Sequence, residues 1–346
     1  MRALTVCPGQ AGSIDLETVP PPPLSDGAVL VGTLALGICG TDRDIVAGKY
    51  GWAPPGGDRL ILGHESLGRV EEAPAGCGFA RGDLVVGIVR RPDPVPCAAC
   101  AAGEWDMCRN GRYTERGIKA RNGYGSELFR VEPDFLVKLE PALGHVGVLL
   151  EPASVVAKAW EHTLRIGARG ADWKPRLALI TGAGPVGLLA ALIVKQAGMD
   201  VHVFDRNDSG PKPALARALG AAFHTTLGEI EPDVVLECTG ANAVVLEVMD
   251  RAAPDGIVCL AGVSSGSRTL QFDVGEFSRA TVLQNNVVFG SVNANRRHYR
   301  AAADALAKAD KDWLARLITR RVPLAQWREA FESRPDDVKV AIDFTS

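Results

Sequence analysis

The chain has no apolar run long enough to span a bilayer: its longest uninterrupted stretch, Leu188 to Val194, falls far short of the ~20 residues a membrane helix needs. It has no surplus of basic charge either. A formal net charge of -3 at pH 7 argues against an extended nucleic-acid surface, because phosphate binding needs clustered Lys and Arg to release counterions. A pair such as Arg320-Arg321 reads as solvated surface. Met1-Arg2-Ala3-Leu4-Thr5-Val6, followed by Cys7-Pro8-Gly9, contains no hydrophobic region of signal-peptide length. Internal repeats and low-complexity blocks are lacking too. The eight cysteines are scattered, with Cys39 and the three near residue 100 better explained as thiolates, which argues for a reducing compartment and against a disulfide framework. The expectation is a cytoplasmic enzyme with neither membrane nor nucleic-acid partners.

What is present is an ordinary soluble composition, 47% hydrophobic and 23% charged over 346 residues, long enough for two domains with a core in each. The first ~150 residues are rich in Gly and Pro and broken into short β-like runs such as Ala28-Val29-Leu30-Val31, Leu84 to Val89 and Leu136-Val137-Lys138-Leu139, the texture of a small irregular β domain. From Leu177 onward apolar strands (Leu177 to Ile180, Val201 to Phe204, Val234 to Leu236, Gly256 to Leu260) alternate with Ala/Leu-rich helical stretches. That alternation predicts a doubly wound parallel α/β sheet. Helical stretches over Tyr299 to Ala309 and Asp312 to Ile318, and a final strand over Val338 to Phe344, are expected to return to the first domain. The expected division is 1–155 with 297–346 for one domain and 156–296 for the other.

Gly182-Ala183-Gly184-Pro185-Val186-Gly187 follows an apolar strand and opens the helical run Leu188 to Ala197. The first glycine allows the tight turn, the second lets the backbone approach a pyrophosphate, and the third permits close helix-to-strand packing. Pro185 suits the first helical position, and the N–H groups of the helix start face the anion. The second strand ends at Phe204-Asp205, 23 residues after Gly182, which completes a Rossmann dinucleotide fingerprint. Asp205 can accept hydrogen bonds from an adenine ribose, favouring NAD, whereas Arg206 beside it can bind the 2'-phosphate of NADP. A carboxylate ~4 Å from a phosphate charge costs about 4 kcal/mol at an effective dielectric of ~20, against about 1.5–3 kcal/mol returned by a charge-assisted Arg contact. The balance leans to NAD, with dual use open.

The runs Cys39-Gly40-Thr41-Asp42, Gly63-His64-Glu65 and Leu150-Glu151-Pro152 supply a thiolate, an imidazole and carboxylates. Three protein ligands of mixed type with one position left free is the pattern of a catalytic zinc, whereas structural zinc is closed by four Cys or His ligands.

The Gly-X-Cys-Gly-Thr-Asp and Gly-His-Glu runs resemble those of the zinc-containing medium-chain dehydrogenases, and the likeness extends over essentially the whole chain. It implies a discontinuous, mainly β GroES-like catalytic domain beside the Rossmann domain. It also implies Cys39, His64 and Glu151 as zinc ligands, Glu65 as an inner-sphere or alternative ligand, Asp42 as the carboxylate orienting the imidazole, and Thr41 as the hydroxyl relaying the alcohol proton. Asp44, a few residues later, is a candidate to continue that relay to solvent, with a plain surface role as the alternative. Within the family, Tyr113-Thr114-Glu115-Arg116-Gly117-Ile118 with Gly123-Tyr124, Gly290 to Tyr299, and Arg334 to Lys339 are similar to the archaeal-type glucose 1-dehydrogenases. By that resemblance Thr41, Glu115, Glu151 and Asn293 contact substrate. Gly182, Gly184, Pro185, Val186, Gly187, Asp205, Arg206, Ser291, Val292 and Asn293 contact NAD or NADP.

The reaction so implied is oxidation of the anomeric hydroxyl of an aldose to an aldonolactone by hydride transfer, in a homodimer or homotetramer. The alternative is the same chemistry on another polyol or secondary alcohol such as sorbitol or threonine. One lobe departs from the family pattern: Cys97, Cys100 and Cys108 fit three positions of a second, structural zinc, but Pro94 stands where the fourth ligand belongs. Asp93 next to it offers an oxygen, and the lobe is left as a possible zinc site.

Overall fold

The computed structural model describes residues 1–263 and 269–346. Its contacts divide the chain into one unit of Met1–Ser154 with Asn293–Ser346 and a second of Val155–Val292. Asn293 to Arg296 thus fall in the first unit, because Asn293 bonds to Glu115 and Asn295 both caps the helix Arg296–Lys308 and reaches Asp106.

The first unit is built on the long strand Val29–Ile38, whose alternating and then continuous burial places it at the centre of a sheet. It pairs antiparallel with Glu65–Glu72, Leu128–Val131 and the C-terminal strand Lys339–Asp343. Pairing of Val340 with Ile38 brings a residue from the end of the sequence next to Cys39. Leu4, Val31, Leu36, Val70, Tyr124, Phe129, Trp327 and Ile342 form the core here.

The second unit carries a six-stranded sheet in the order Ala222–His224, Asp200–Phe204, Leu177–Thr181, Val234–Glu237, Ile257–Leu260, Val287–Gly290, all parallel. The order reverses at Leu177–Thr181, where the chain crosses from one half of the sheet to the other, and ligands of such sheets bind outside the carboxyl ends of the strands at that switch point. The helix Pro185–Gln196 leaves from there with all but its ends buried.

Two glycines of the loop are demanded by the backbone. Gly182 has φ +88°, and a Cβ on Gly187 would overlap the carbonyl oxygen of Gly182. Gly187→Ala is therefore expected to cost about 1–3 kcal/mol by overpacking and to weaken dinucleotide binding at least tenfold, checked by thermal melting and cofactor titration.

Among the described residues, one helical stretch, Pro141–Gly167, is by length and average composition apolar enough to cross a bilayer, and 78% of its apolar window is buried inside the fold.

Candidate metal centre and dinucleotide site

Cys39 follows the central strand and caps the helix Gly40–Val46. Its backbone N–H donates to Asp42 Oδ2 at 2.9 Å while its sulfur takes the N–H of Asp42, a reciprocal cap that fixes both side chains. The other oxygen of the fully buried Asp42 lies 3.3 Å from Nδ1 of His64. On the far side of the imidazole, Nε2 is 3.2 Å from Cys39 Sγ. His64 reaches this position from a turn at Gly63, where φ is +95° and a side chain would strike Leu36.

The ligand atoms of Cys39, His64 and Glu65 lie within 4.8 Å of one another. Glu151, in the first turn of the helix Leu150–Gly167, is not part of that close group, yet it belongs to the same electrostatic neighbourhood. Burial pushes its carboxyl up to about 7, with Glu65 adding to the rise and His64 and Lys339 opposing it. The side chain of Glu65 is taken by Lys339, whose fully buried ammonium also donates to Ile38 O at 3.3 Å. Thr41 and Asp44 stand half-buried on the helix that begins after Cys39.

This donor set suits a zinc ion. It combines a thiolate, an imidazole oriented by a carboxylate, and a buried carboxyl that lacks sufficient positive charge to ionise normally. Burial opposes a charged imidazole at His64, but the Asp42 carboxylate and the Cys39 sulfur together hold its pKa well above the ordinary value.

These two shifts act on stability with the same sign. A carboxyl raised from ~4.3 to about 7 loses stability as pH rises through that interval. A raised imidazole contributes stability that is complete below ~6.5 and is lost as pH climbs through its folded value. Metal-free protein is thus expected to melt at lower temperature at pH 8 than at pH 5–6, whereas the stabilisation conferred by added zinc grows over that range, because the cation replaces those protons. Thermal melts with and without zinc check this.

Glu115 is buried on the strand Thr114–Arg116. Its Oε1 accepts from Arg90 Nε at 3.0 Å, Arg90 Nη2 at 2.9 Å and Asn293 Nδ2 at 2.8 Å. Asn293 holds φ at +62°, the left-handed region that Asn enters more readily than most residues with a side chain. The structure thus joins two candidate substrate residues 178 positions apart.

At the Gly-rich loop, Gly184 caps the helix and open space surrounds the position of its absent Cβ, the room a pyrophosphate needs. Asp205 Oδ2 accepts from Ala183 N at 2.8 Å, Oδ1 accepts from Asn207 N at 3.1 Å, and Lys212 lies 3.6 Å away. The expected lean to NAD set the Asp205 carboxylate against Arg206 alone; Lys212 and these two amides further reduce its repulsion of a 2'-phosphate. Arg206 is exposed, as is Val292, while Ser291 is buried.

Cys97, Cys100 and Cys108 gather around the short helix Ala98–Ala101 within 4.8 Å of one another. The N–H of Arg109 and neighbouring amides draw Cys97 down to about 6, and burial raises Cys100 to about 11. Asp93 does not join them. Its carboxylate accepts from Val95 N at 2.8 Å and faces Arg112 at 3.3 Å, so the lobe falls one ligand short of a closed structural zinc site.

Sequence reasoning passed over Lys339 and Arg90, the cations that neutralise Glu65 and Glu115. Lys339 lies 274 residues from its partner and reads locally as one polar position in a strand, so only the pairing of strands reveals it.

Comparison with known proteins agrees with this architecture. Residues 25–141 match the alcohol dehydrogenase GroES-like domain, and residues 144–344 match the glucose dehydrogenase C-terminus. The chain is 38% identical to a glucose 1-dehydrogenase of Methanocella arvoryzae and 39% identical to glucose 1-dehydrogenase 1 of Caldivirga maquilingensis, in each case over 99% of both chains. The structure of Haloferax mediterranei glucose dehydrogenase in complex with NADP, Zn and gluconolactone superposes with a TM-score of 0.92, at 32% identity and covering 100% of both chains. With both domain models matched and full-length relatives above 30% identity, the chain belongs to the zinc-dependent medium-chain dehydrogenases, in the glucose 1-dehydrogenase family.

Proposed function

We propose that this protein oxidises the anomeric hydroxyl of an aldose to an aldonolactone, passing hydride to NAD or NADP. The observation that carries the reading is the Cys39–His64 donor pair beside the buried carboxyl of Glu151, in a chain whose Haloferax relative was solved with NADP, Zn and gluconolactone.

Cys39, His64 and Glu151 hold the metal. Lys339 keeps Glu65 neutralised, which leaves Glu151 as the third ligand and Glu65 as an alternative one. Zinc, when bound, supplies a Lewis acid of the kind that lowers the pKa of water from ~15.7 to ~7, and the nicotinamide supplies the hydride acceptor. Asp42 accepts from the Nδ1–H of His64, which keeps the proton on that nitrogen and presents Nε2 as a lone pair. Thr41 carries the substrate proton outward and Asp44 passes it to solvent. Glu115, through Oε2, and Asn293 replace the water that sugar hydroxyls lose on binding. Gly182, Gly184, Pro185, Val186 and Gly187 receive the pyrophosphate, Ser291 and Val292 line the dinucleotide path with Asn293, and Arg206 with Lys212 accommodates a 2'-phosphate when NADP is used.

The assembly proposed is a homodimer or homotetramer. Among the described residues the outer strand Val287–Gly290 pairs on one side only, and Val282 and Leu283 on the preceding helix are 70% and 74% exposed, an edge and an apolar surface suited to cover by a second copy. A cytoplasmic location accords with the composition.

Initial-rate kinetics with glucose, galactose and xylose against sorbitol, threonine and simple alcohols, each with NAD and NADP, tests the reading. Aldoses are expected to exceed the others in kcat/KM by tenfold or more, about 1.4 kcal/mol, with both dinucleotides used. Preference for sorbitol or threonine overturns the assignment of substrate.

A further inference from the structure

Among the described residues, the only aromatics with large exposed rings are Tyr50, 45% exposed, and Trp52, 50% exposed. The chain has just four tyrosines and six tryptophans; Tyr50 and Tyr113 share the electrostatic neighbourhood of Glu115, and the backbone of Trp52 bridges to Lys119, four residues further along that segment. Tyr50 and Trp52 meet edge to face with ring centroids 5.1 Å apart, a favourable arrangement that orients both.

Their backbone is held firmly. Trp52 N donates to Ile118 O at 2.9 Å, and Trp52 O accepts from Ala120 N at 3.0 Å. Gly51 between the rings has φ +96°, and a side chain there would press on Ile45. The loop is therefore clamped between the helix Gly40–Val46, which bears Thr41 and Asp42, and the turn from Glu115 to Ala120. That turn packs on the metal-site turn in its own right, since a Cβ on Gly117 would collide with the backbone of Gly63. Lys119 and Glu115 exchange both backbone hydrogen bonds, at 2.8 and 2.9 Å.

Electrostatics places Tyr50 near the same carboxylate. Burial first, then Glu115 and Tyr113, raise the pKa of its hydroxyl, with Arg90 opposing. The face of Tyr113, by contrast, is already taken by Arg90 at 3.8 Å and Lys119 at 4.0 Å. Trp52 is the aromatic left to meet a ligand.

A ring-closed aldose has two kinds of surface. Hydroxyls around its rim need hydrogen-bond partners, while its flat C–H faces gain by leaving water for an apolar wall. Glu115 and Asn293 serve only the first need. We propose that Trp52, steadied edge-on by Tyr50, is the platform on which the C–H face of an aldopyranose packs while Glu115 receives its hydroxyls, so that this pair selects ring-closed sugars over acyclic polyols. The inference rests on the aldose reading above. An open-chain polyol rotates about every C–C bond and offers no fixed flat face, so the platform rewards it far less.

The test is Trp52→Ala against Trp52→Phe and Tyr50→Leu, with KM and kcat measured for glucose, xylose and sorbitol alongside zinc content and dinucleotide affinity. Trp52→Ala is expected to raise KM for both aldoses about tenfold, with kcat changed less than threefold and with zinc, dinucleotide affinity and any sorbitol activity unaltered. Trp52→Phe restores most of the loss, and Tyr50→Leu gives a smaller rise. In the unsubstituted enzyme, aldonolactone quenches a tryptophan fluorescence component that Trp52→Phe lacks, a readout that does not depend on Trp52→Ala folding. An unchanged aldose KM in zinc-loaded Trp52→Ala, or quenching that persists in Trp52→Phe, overturns the platform alone. Absence of aldose oxidation in the unsubstituted enzyme overturns the reading beneath it as well.

Discussion

His64→Ala is expected to lose bound zinc and to lower aldose oxidation by about ten-thousandfold, with dinucleotide affinity unchanged. The size follows from the chemistry assigned to the site. If the metal lowers the pKa of the reacting hydroxyl by ~4 units, its removal forfeits about 5.4 kcal/mol. Dinucleotide binding is spared because the Gly182–Gly187 loop belongs to the second unit, whereas His64 belongs to the first. Asp42→Asn provides a graded control: it keeps the shape but loses the charge 3.3 Å from His64 Nδ1, and outer partners of this kind cost 10- to 100-fold. Metal analysis, steady-state rates and a fluorescence titration with NADP separate the three effects. Full activity in metal-depleted His64→Ala would refute the role given to the ion.

Lys339→Met is expected to destabilise the protein by about 3–5 kcal/mol, because it strands the buried Glu65 without its cation. Burial lowers the pKa of Lys339, but Glu65 and other anions around it more than compensate, leaving it raised. A lysine with a raised folded pKa contributes stability that is complete below ~10.4 and fades only as pH rises through its folded value. The loss in Lys339→Met is therefore undiminished across neutral pH. Lys339→Met combined with Glu65→Gln should recover most of it, since the double change removes the unpaired charge. Urea unfolding of Lys339→Met, Glu65→Gln and the double variant measures the coupling, and equal destabilisation in Lys339→Met and the double variant would show that the ion pair is not its source. The single variant also frees Glu65 to compete for the metal beside Cys39 and His64, so its zinc affinity should change along with its stability.

Much of the fold was legible because its elements obey local rules. The apolar runs at Leu177, Val201, Val234 and Ile257 are strands of the parallel sheet, and the three glycines of the dinucleotide loop occupy positions where backbone conformation, collision and open space each exclude or do without a side chain. Less visible were Ala222–His224 and Val287–Gly290, the outermost strands of that sheet, where partial exposure dilutes the apolar pattern. The helix Leu150–Gly167 was hidden for a related reason: Glu151-Pro152 at its start marks a beginning but gives no length.

The candidate site divides along the same line. Cys39 and Asp42 are tied by a cap three residues long, so their association is written into one short segment. Lys339 with Glu65 and Arg90 with Glu115 are buried ion pairs assembled by strand pairing, and a buried charge has no periodicity that announces its partner. Asp93 shows the converse: adjacency to the cysteine lobe suggested a ligand, but the amide of Val95 and the guanidinium of Arg112 hold its carboxylate elsewhere.

The most direct test is to strip the enzyme with a chelator and titrate zinc back while following reduction of NADP by glucose and identifying the product. Activity that is absent without metal, returns in proportion to zinc up to one catalytic ion per chain, and yields the lactone is the predicted result. Glucose oxidation at full rate in the metal-free enzyme, or zinc-restored enzyme that reduces neither dinucleotide with any aldose, would contradict it.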